Sequence, residues 1–264
     1  MSEKRKKKLK RGLCNHVAAL FRVLHRRSAR KTAAIILSAG SGSRFGGDIP
    51  KQFVRIEGVP LLIRSALAFE ACPDIHEIVI VARSEDVSAT YALCREYGLT
   101  KLSAITAGGK TRQESALRGV EAVSKRIGYV AIHDAARCLI TPDAISEVVK
   151  AAYRYRAATA ASPIYDTVKL ADKYGFIQKT VDREQLMAAE TPQVFERALY
   201  RAAAYTAQEK GTAVTDDNSL FEATRQAVKL VKSRCENFKI TTPADQLRAE
   251  SVIRARERQG GEDA

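Results

Sequence analysis

"TAAIILSAGSGSRFGGDIPKQF", residues 32–53, runs an unbroken apolar stretch into a loop that holds four glycines, one arginine and one lysine in its last sixteen residues. The stretch lacks the polar alternation of a half-exposed strand, so it reads as a strand buried on both faces. A buried strand that empties into a glycine-rich loop is the opening of an α/β sheet, where ligands gather at the carboxyl ends of the strands.

Two common phosphate loops fail here at identifiable residues. A dinucleotide fingerprint, G-x-G-x-x-G, needs a third glycine where Phe45 follows Gly40 and Gly42. A P-loop needs lysine directly after its last glycine, whereas Lys51 stands beyond Gly47, behind Pro50 and before Gln52. What remains is a long loop whose glycines expose backbone N–H groups and whose cations, Arg44 and Lys51, are spaced along it. Such a loop suits a triphosphate that must be gripped and then broken, the cations neutralising charge as pyrophosphate departs. On this stretch alone, an ordinary glycine turn with two solvated charges is the alternative.

Outward from the loop the same rhythm repeats. "HEIVIVA" (76–82), "SAIT" (103–106), "YVAIH" (129–133) and "AATAASP" (157–163) read as strands. Helical patterns lie near 60–71 and 86–97, from Thr111 and from Pro142. This βα series predicts a Rossmann-like, doubly wound, mostly parallel sheet. "YDTVKLADKYGFIQKTVDR" (165–183) breaks it with two alternating segments around Lys173-Tyr174-Gly175, an antiparallel hairpin in an arm over about 163–188. An arm projecting from an α/β sheet is expected to embrace a second subunit. Helices near 196–209 and 217–225, a strand at 228–231 and a last helix from Pro243 complete a body of 32–258, with a tail at 259–264.

Composition narrows the classes. With 264 residues, 45% of them hydrophobic, the chain can bury a full core. Its five cysteines include no C-x-x-C pair, which argues against a disulfide framework or zinc ribbon and suits a reducing cytoplasm. The four histidines lack H-E-x-x-H spacing, so an oxygen-liganded Mg²⁺ is the expected metal. Of the formal charge of +14, residues 1–31 carry a net +11, so the body is close to neutral. Within that basic extension Leu13, Val17, Leu20, Phe21 and Leu24 fall at helical spacing. The extension is expected to be disordered or an amphipathic helix, open to a membrane or RNA surface, and it has neither a signal-peptide core nor the ~20 apolar residues of a span.

Further segments place chemistry at strand ends. "IHDAARC" sets Asp134 and Arg137 just past a buried strand, and "GGKTRQES" sets a glycine pair before a helix N-terminus. "DTVK" and "TVDR" put Thr167 and Arg183 on the arm, and "NFKITTPAD" puts Lys239 before a Thr-Thr-Pro helix start. Each has a plain structural reading as a local ion pair, turn, solvated edge or cap.

Taken in order with "TPQVF" and "TDD", these segments resemble the 2-C-methyl-D-erythritol 4-phosphate cytidylyltransferase family over about Ala33 to Asp245. The resemblance implies a homodimer with arm exchange, acting on CTP and a sugar-alcohol phosphate with Mg²⁺ and requiring no nucleic acid. It implies that Arg44, Lys51, Arg183 and Lys239 are catalytic, and that Ser38, Ala39, Gly40, Gly42, Gly109 and Ser115 bind the nucleotide. It assigns the sugar phosphate to Asp134, Arg137, Thr167, Arg183 and Lys239, with Thr167 and Arg183 delivered by the partner's arm and Asp134 a candidate metal ligand. Two residues depart from the family pattern: Cys138, where proline is common, and Lys110, where a small or acidic residue is usual. About twenty residues follow Asp245, too few for the second enzyme that some relatives fuse there. A ribitol 5-phosphate cytidylyltransferase shares these motifs and stays open as an alternative. From another class, so does a nucleic-acid or membrane-surface binder working through residues 1–31.

Overall fold

The computed structural model describes residues 30–40, 45, 49–212 and 214–262. The expected helix of the basic extension lies outside these residues, as do Gly42 and Arg44 of the glycine loop. In chain order the described strands are β1 (Thr32–Leu37), β2 (Arg55–Ile56), β3 (Val59–Pro60), β4 (Ile75–Ala82), β5 (Leu102–Ala107), β6 (Tyr129–Asp134), β7 (Ala157–Pro163), β8 (Lys169–Ala171), β9 (Ile177–Thr180), β10 (Met187–Glu196) and β11 (Lys229–Lys232). The helices are α1 (Leu61–Ala71), α2 (Val87–Glu96), α3 (Arg112–Ala122), α4 (Pro142–Tyr155), α5 (Arg197–Glu209), α6 (Asn218–Ala223) and α7 (Pro243–Glu262).

Seven strands form one sheet in the order β11-β7-β10-β6-β1-β4-β5. All neighbours run parallel except β10, which is antiparallel to both β6 and β7. The apolar opening run explains why the sheet is wound on both sides. Ala34 and Ile36 of β1 pack with Leu62 and Phe69 of α1 and Val148 of α4. Ala33 and Ile35 point the other way, to Val120 of α3, Tyr200 of α5 and Phe221 of α6. Successive side chains alternate faces along a strand, so a strand with a helix layer on each side must be apolar throughout.

Helix α3 comes closest to the sheet at Gly119, where an added Cβ would stand 2.4 Å from Ile35 Cγ2 and 2.9 Å from Val81 Cγ2. Overpacking of this kind costs about 1–3 kcal/mol, so Gly119→Ala is expected to lower the urea midpoint by a corresponding amount. A midpoint equal to that of the unaltered protein would show that the helix floats free of the sheet.

The expected hairpin is present as β8 and β9, antiparallel, with Asp172 Oδ1 accepting the N–H groups of Tyr174 at 2.9 Å and Phe176 at 3.0 Å. Gly175 takes the left-handed conformation of the turn, at φ +88°. Strand β10 was not expected from the sequence. Its Pro192 argues against a central strand, since proline cannot donate to the ladder. The register of β10 on β7 shifts between Ala189 and Gln193, and Pro192 sits in that irregularity.

Candidate active site

The carboxyl ends of β1 and β6 and the turn after β5 open into a cleft of about 460 Å³. Of the residues expected from the sequence, Ser38, Ala39, Gly40, Lys51, Gly109, Ser115, Asp134 and Lys239 line it together. Ser38 is held by its N–H to Val81 O at 2.7 Å, and its buried hydroxyl has no hydrogen-bond partner among the described residues. The glycine pair after β5 is a matter of space. A Cβ on Gly108 would lie 2.5 Å from Ala39 Cβ, and one on Gly109 would lie 2.4 Å from Glu114 Cβ. Side chains here would collide with Ala39 and Glu114, so the turn packs against them only as glycine backbone, with Gly109 on the cleft wall.

Helix α3 starts at this wall with a reciprocal cap. Thr111 Oγ1 accepts the N–H of Glu114 at 3.1 Å, while Glu114 Oε2 accepts the N–H of Lys110 at 2.8 Å. Ser115 Oγ accepts the N–H of Gly109 at 3.0 Å and donates to Thr111 O at 2.9 Å, fixing the turn. Lys110 also lines the cleft and is exposed, so its extra cation does reach this pocket. Cys138, the other departure, points into an apolar cluster with Ile56, Leu61 and Leu139, and burial pushes its thiol up to about 11. Phe45 packs against the same cluster, which explains an aromatic residue where a dinucleotide loop would need glycine.

Opposite the glycine wall the side chains are charged. Lys51 Nζ donates to Ile240 O at 2.5 Å, which sets it beside Lys239, 188 positions later in the chain. Lys239 Nζ lies 2.8 Å from Asp134 Oδ2, and Arg112 Nε lies 3.2 Å from Asp134 Oδ1. Arg112 also pairs with Asp217 at 2.6 Å, and Asp217 accepts the hydroxyl of Tyr200 at 2.7 Å. Burial pushes the Asp134 carboxyl up, but Arg112 and Lys239 outweigh it and hold Asp134 well below the usual carboxylate range. Burial also works against the Arg112 charge, and Asp217 and Asp134 reverse that, keeping Arg112 protonated. Tyr200 is raised well above its ordinary value by burial and by Asp217, so it stays a donor.

Beneath Asp134 lies His133, fully buried. The N–H of Asp134 donates to Thr191 Oγ1 at 3.1 Å, which leaves the Thr191 hydroxyl to donate to His133 Nδ1 at 3.0 Å. The Nε2–H of His133 then faces Arg137 O at 3.2 Å, so one neutral tautomer satisfies every partner. Burial lowers the His133 pKa to about 4. A histidine lowered on folding binds its proton more readily when unfolded, so stability is full above about pH 6.5 and falls as pH drops toward 4. The expected loss is about 3 kcal/mol across that window, measured by denaturant melts at several pH values. Replacing His133 by Gln should flatten this part of the profile, and an unchanged slope would locate the titration elsewhere.

Three expected residues are not brought into the cleft of their own chain. Arg137 turns away and donates to Asn237 O at 2.8 Å, where Asn237 is itself held by Glu190 at 3.0 Å. Thr167 and Arg183 sit on the exposed arm, Arg183 donating to Tyr165 O at 2.5 Å. Sequence reasoning passed over Arg112, Asp217 and Gln52. Gln52 lines the cleft and donates to Asp86 at 2.6 Å, tying the end of the glycine loop to the turn before α2.

Comparison with known proteins agrees with this geometry. The model of the IspD family, 2-C-methyl-D-erythritol 4-phosphate cytidylyltransferase, matches residues 32–255. The enzyme of that name from Pelotomaculum thermopropionicum is 40% identical over 228 residues, covering 86% of this chain and 96% of its own. One from Desulforamulus reducens is 40% identical over 224 residues, covering 84% and 96%. Among solved structures, the Anaerococcus prevotii 4-diphosphocytidyl-2C-methyl-D-erythritol synthase superposes with a TM-score of 0.76 at 25% identity, covering 86% of this chain and 97% of its own. The Thermus thermophilus cytidylyltransferase gives 0.69 at 31% identity, covering 85% and 99%. A doubly wound sheet, a glycine-walled cleft with Lys51 and Lys239 across from it, and relatives matched over nearly their whole length lead to one assignment: the chain belongs to the 2-C-methyl-D-erythritol 4-phosphate cytidylyltransferase family.

Proposed function

We propose that the chain joins CMP from CTP to 2-C-methyl-D-erythritol 4-phosphate and releases pyrophosphate, the step that supplies a non-mevalonate isoprenoid precursor. The observation that supports it is the convergence of Lys51 and Lys239 on one cleft that Gly40 and Gly109 also line. A phosphate oxygen of the acceptor attacks the α-phosphorus in line, a new P–O bond forms, and the bond to pyrophosphate breaks. Two anions must meet, so the work is positioning and charge neutralisation rather than covalent chemistry. No histidine lines the cleft among the described residues, and the Ser115 hydroxyl is tied to Gly109 and Thr111, so Ser115 is not placed as a histidine-activated nucleophile.

In this reading Ser38, Ala39, Gly40, Gly109 and Ser115 seat the nucleotide. Arg44 and Gly42 of the loop act on its phosphates with Lys51. Asp134 and Lys239 take the acceptor, and Arg137 supports them from beneath through its carbonyl and Asn237. Mg²⁺ belongs to the same proposal. No group of three His, Cys, Asp or Glu able to cage a metal occurs among the described residues. Asp134, an ionised carboxylate on the cleft wall now paired with Lys239 and Arg112, would be the residue to hold such an ion together with the triphosphate. When bound, such an ion screens the charge of the phosphates.

The dimer is also a proposal. The arm leaves Tyr165, Tyr174, Phe176 and Ile177 more than 60% exposed, an apolar surface that a second copy would cover. Thr167 and Arg183 would then reach the partner's cleft. Mixing Lys51→Ala with Arg183→Ala protein should give heterodimers with one intact site and recover part of the activity. No recovery, with subunit exchange shown by a tag, would argue against a shared site. No helix among the described residues is long and apolar enough to cross a membrane. A cytoplasmic location is proposed with the activity, in keeping with the four cysteines among the described residues, all unpaired.

The function is tested by pyrophosphate release from CTP with each acceptor in turn. Methylerythritol phosphate should be turned over and ribitol 5-phosphate should not. The reverse preference would replace the acceptor while leaving the chemistry.

A further inference from the structure

The opposite end of the sheet carries a second, larger concavity of about 1510 Å³. The chain enters β1 there at Arg30, β6 begins there at Tyr129, Arg156 precedes β7 there, and antiparallel β10 ends there at Glu196. Seven of the residues lining this basin are cationic and two are carboxylates. Both carboxylates are already paired: Glu196 with Arg156 at 2.7 Å and Glu121 with Arg201 at 2.6 Å. Arg30, Lys125, Arg154 and Arg197 have no carboxylate partner among the described residues. Arg197 is fixed by donating to Ser124 O at 2.9 Å and Val123 O at 3.0 Å, and its buried Nε finds no acceptor. Between Arg154 and Arg156 the Tyr155 ring is 45% exposed, with the Arg154 guanidinium carbon 5.2 Å from its centroid.

The chain outside the family match adds to this field. Residues 1–31 precede the matched region, carry a net +11 and join the body at the basin through Arg30. Uncompensated guanidinium groups match the forked geometry of phosphates, and an exposed aromatic flanked by cations is a platform for a base. The basin is concave, whereas a bilayer is flat. Among the described residues, none of the large exposed apolar side chains lines it, so it offers hydrocarbon no anchor. We propose that this basin binds a single-stranded polynucleotide, its phosphates on Arg30, Lys125 and Arg154 and a base on Tyr155, which lies outside the basin's lining but beside Arg154. Because it lies at the amino ends of β1 and β6 and the cleft at their carboxyl ends, occupancy of one leaves the other open.

The test uses the full chain and a fluorescein-labelled oligouridylate, followed by anisotropy over a range of salt. Combining Arg30→Glu, Lys125→Glu and Arg154→Glu, all on exposed side chains, should weaken binding at least about tenfold and lower the log–log salt slope by roughly two. Turnover of CTP should stay unchanged, which also reports a folded protein. Tyr155→Ala, a milder variant, should weaken binding with the salt slope intact, because it removes stacking and no phosphate contact. Unchanged affinity in both variants would overturn the proposal and leave any retention to the extension. Loss of binding to phosphatidylserine vesicles in the triple variant, with oligouridylate binding unaffected, would overturn it in favour of a membrane surface.

Discussion

Lys51→Ala is expected to lower turnover by about 10²–10³, equivalent to roughly 3–4 kcal/mol of transition-state stabilisation, by analogy with the loss of one preorganised donor. The melting temperature should barely move. Lys51 donates to Ile240 O at 2.5 Å from a half-buried position, and a bond of that kind is worth about 1 kcal/mol net. Under the proposed function its larger role is its charge in the cleft, which would matter as negative charge moves onto the departing pyrophosphate. Single-turnover pyrophosphate release and calorimetry on the same preparation separate the two effects. A variant that turned over normally would remove Lys51 from the chemistry, and one that only melted earlier would make it a structural residue.

Asp217→Ala should have the largest effect on stability. The Asp217 side chain is 1% exposed, pairs with Arg112 at 2.6 Å and accepts from Tyr200 at 2.7 Å. Removing it leaves a partly buried guanidinium with one partner fewer and a buried hydroxyl with none. Breaking a buried ion pair from one side costs about 3–5 kcal/mol, which for a domain of this size is a fall of roughly 10 °C. Turnover should fall as well, since Arg112 is the group that holds Asp134 Oδ1 toward the cleft at 3.2 Å. Asp217→Asn keeps the shape and the acceptor for Tyr200 and should lose less. Melting within one degree of the unaltered protein for both variants would mean that the network contributes nothing to the fold.

The contrast between these residues shows what could be read from the chain alone. Strands such as 32–37 and 157–163 were legible because burial on both faces forces an unbroken apolar run, and that run has no rival reading of the same length. Gly40 and Lys239 could be placed at the cleft because topology gathers the loops after the strands at one end of the sheet. Strand β10 was hidden by Pro192, which only the register shift beside it accommodates. Arg112 and Asp217 were hidden for another reason. Each stands at a helix start, where charged residues are ordinary. In "TDD" the first aspartate, Asp216, does have a local role, accepting the N–H of Ser219 at 3.1 Å. Its neighbour Asp217 turns inward to a partner 105 positions earlier, and no local pattern announces a pairing across that distance. His133 was passed over similarly, because a histidine near the end of an apolar strand gives no sign of which hydrogen bonds wait for it.

The central claim is a single in-line displacement at the α-phosphorus, carried by positioned cations and no protein nucleophile. The most direct measurement uses CTP made chiral at that phosphorus with sulfur, followed by the configuration of the diphosphate product in ³¹P spectra. Inversion is the expected result. Retention would require two displacements and a covalent nucleotide on the protein, and would contradict the account.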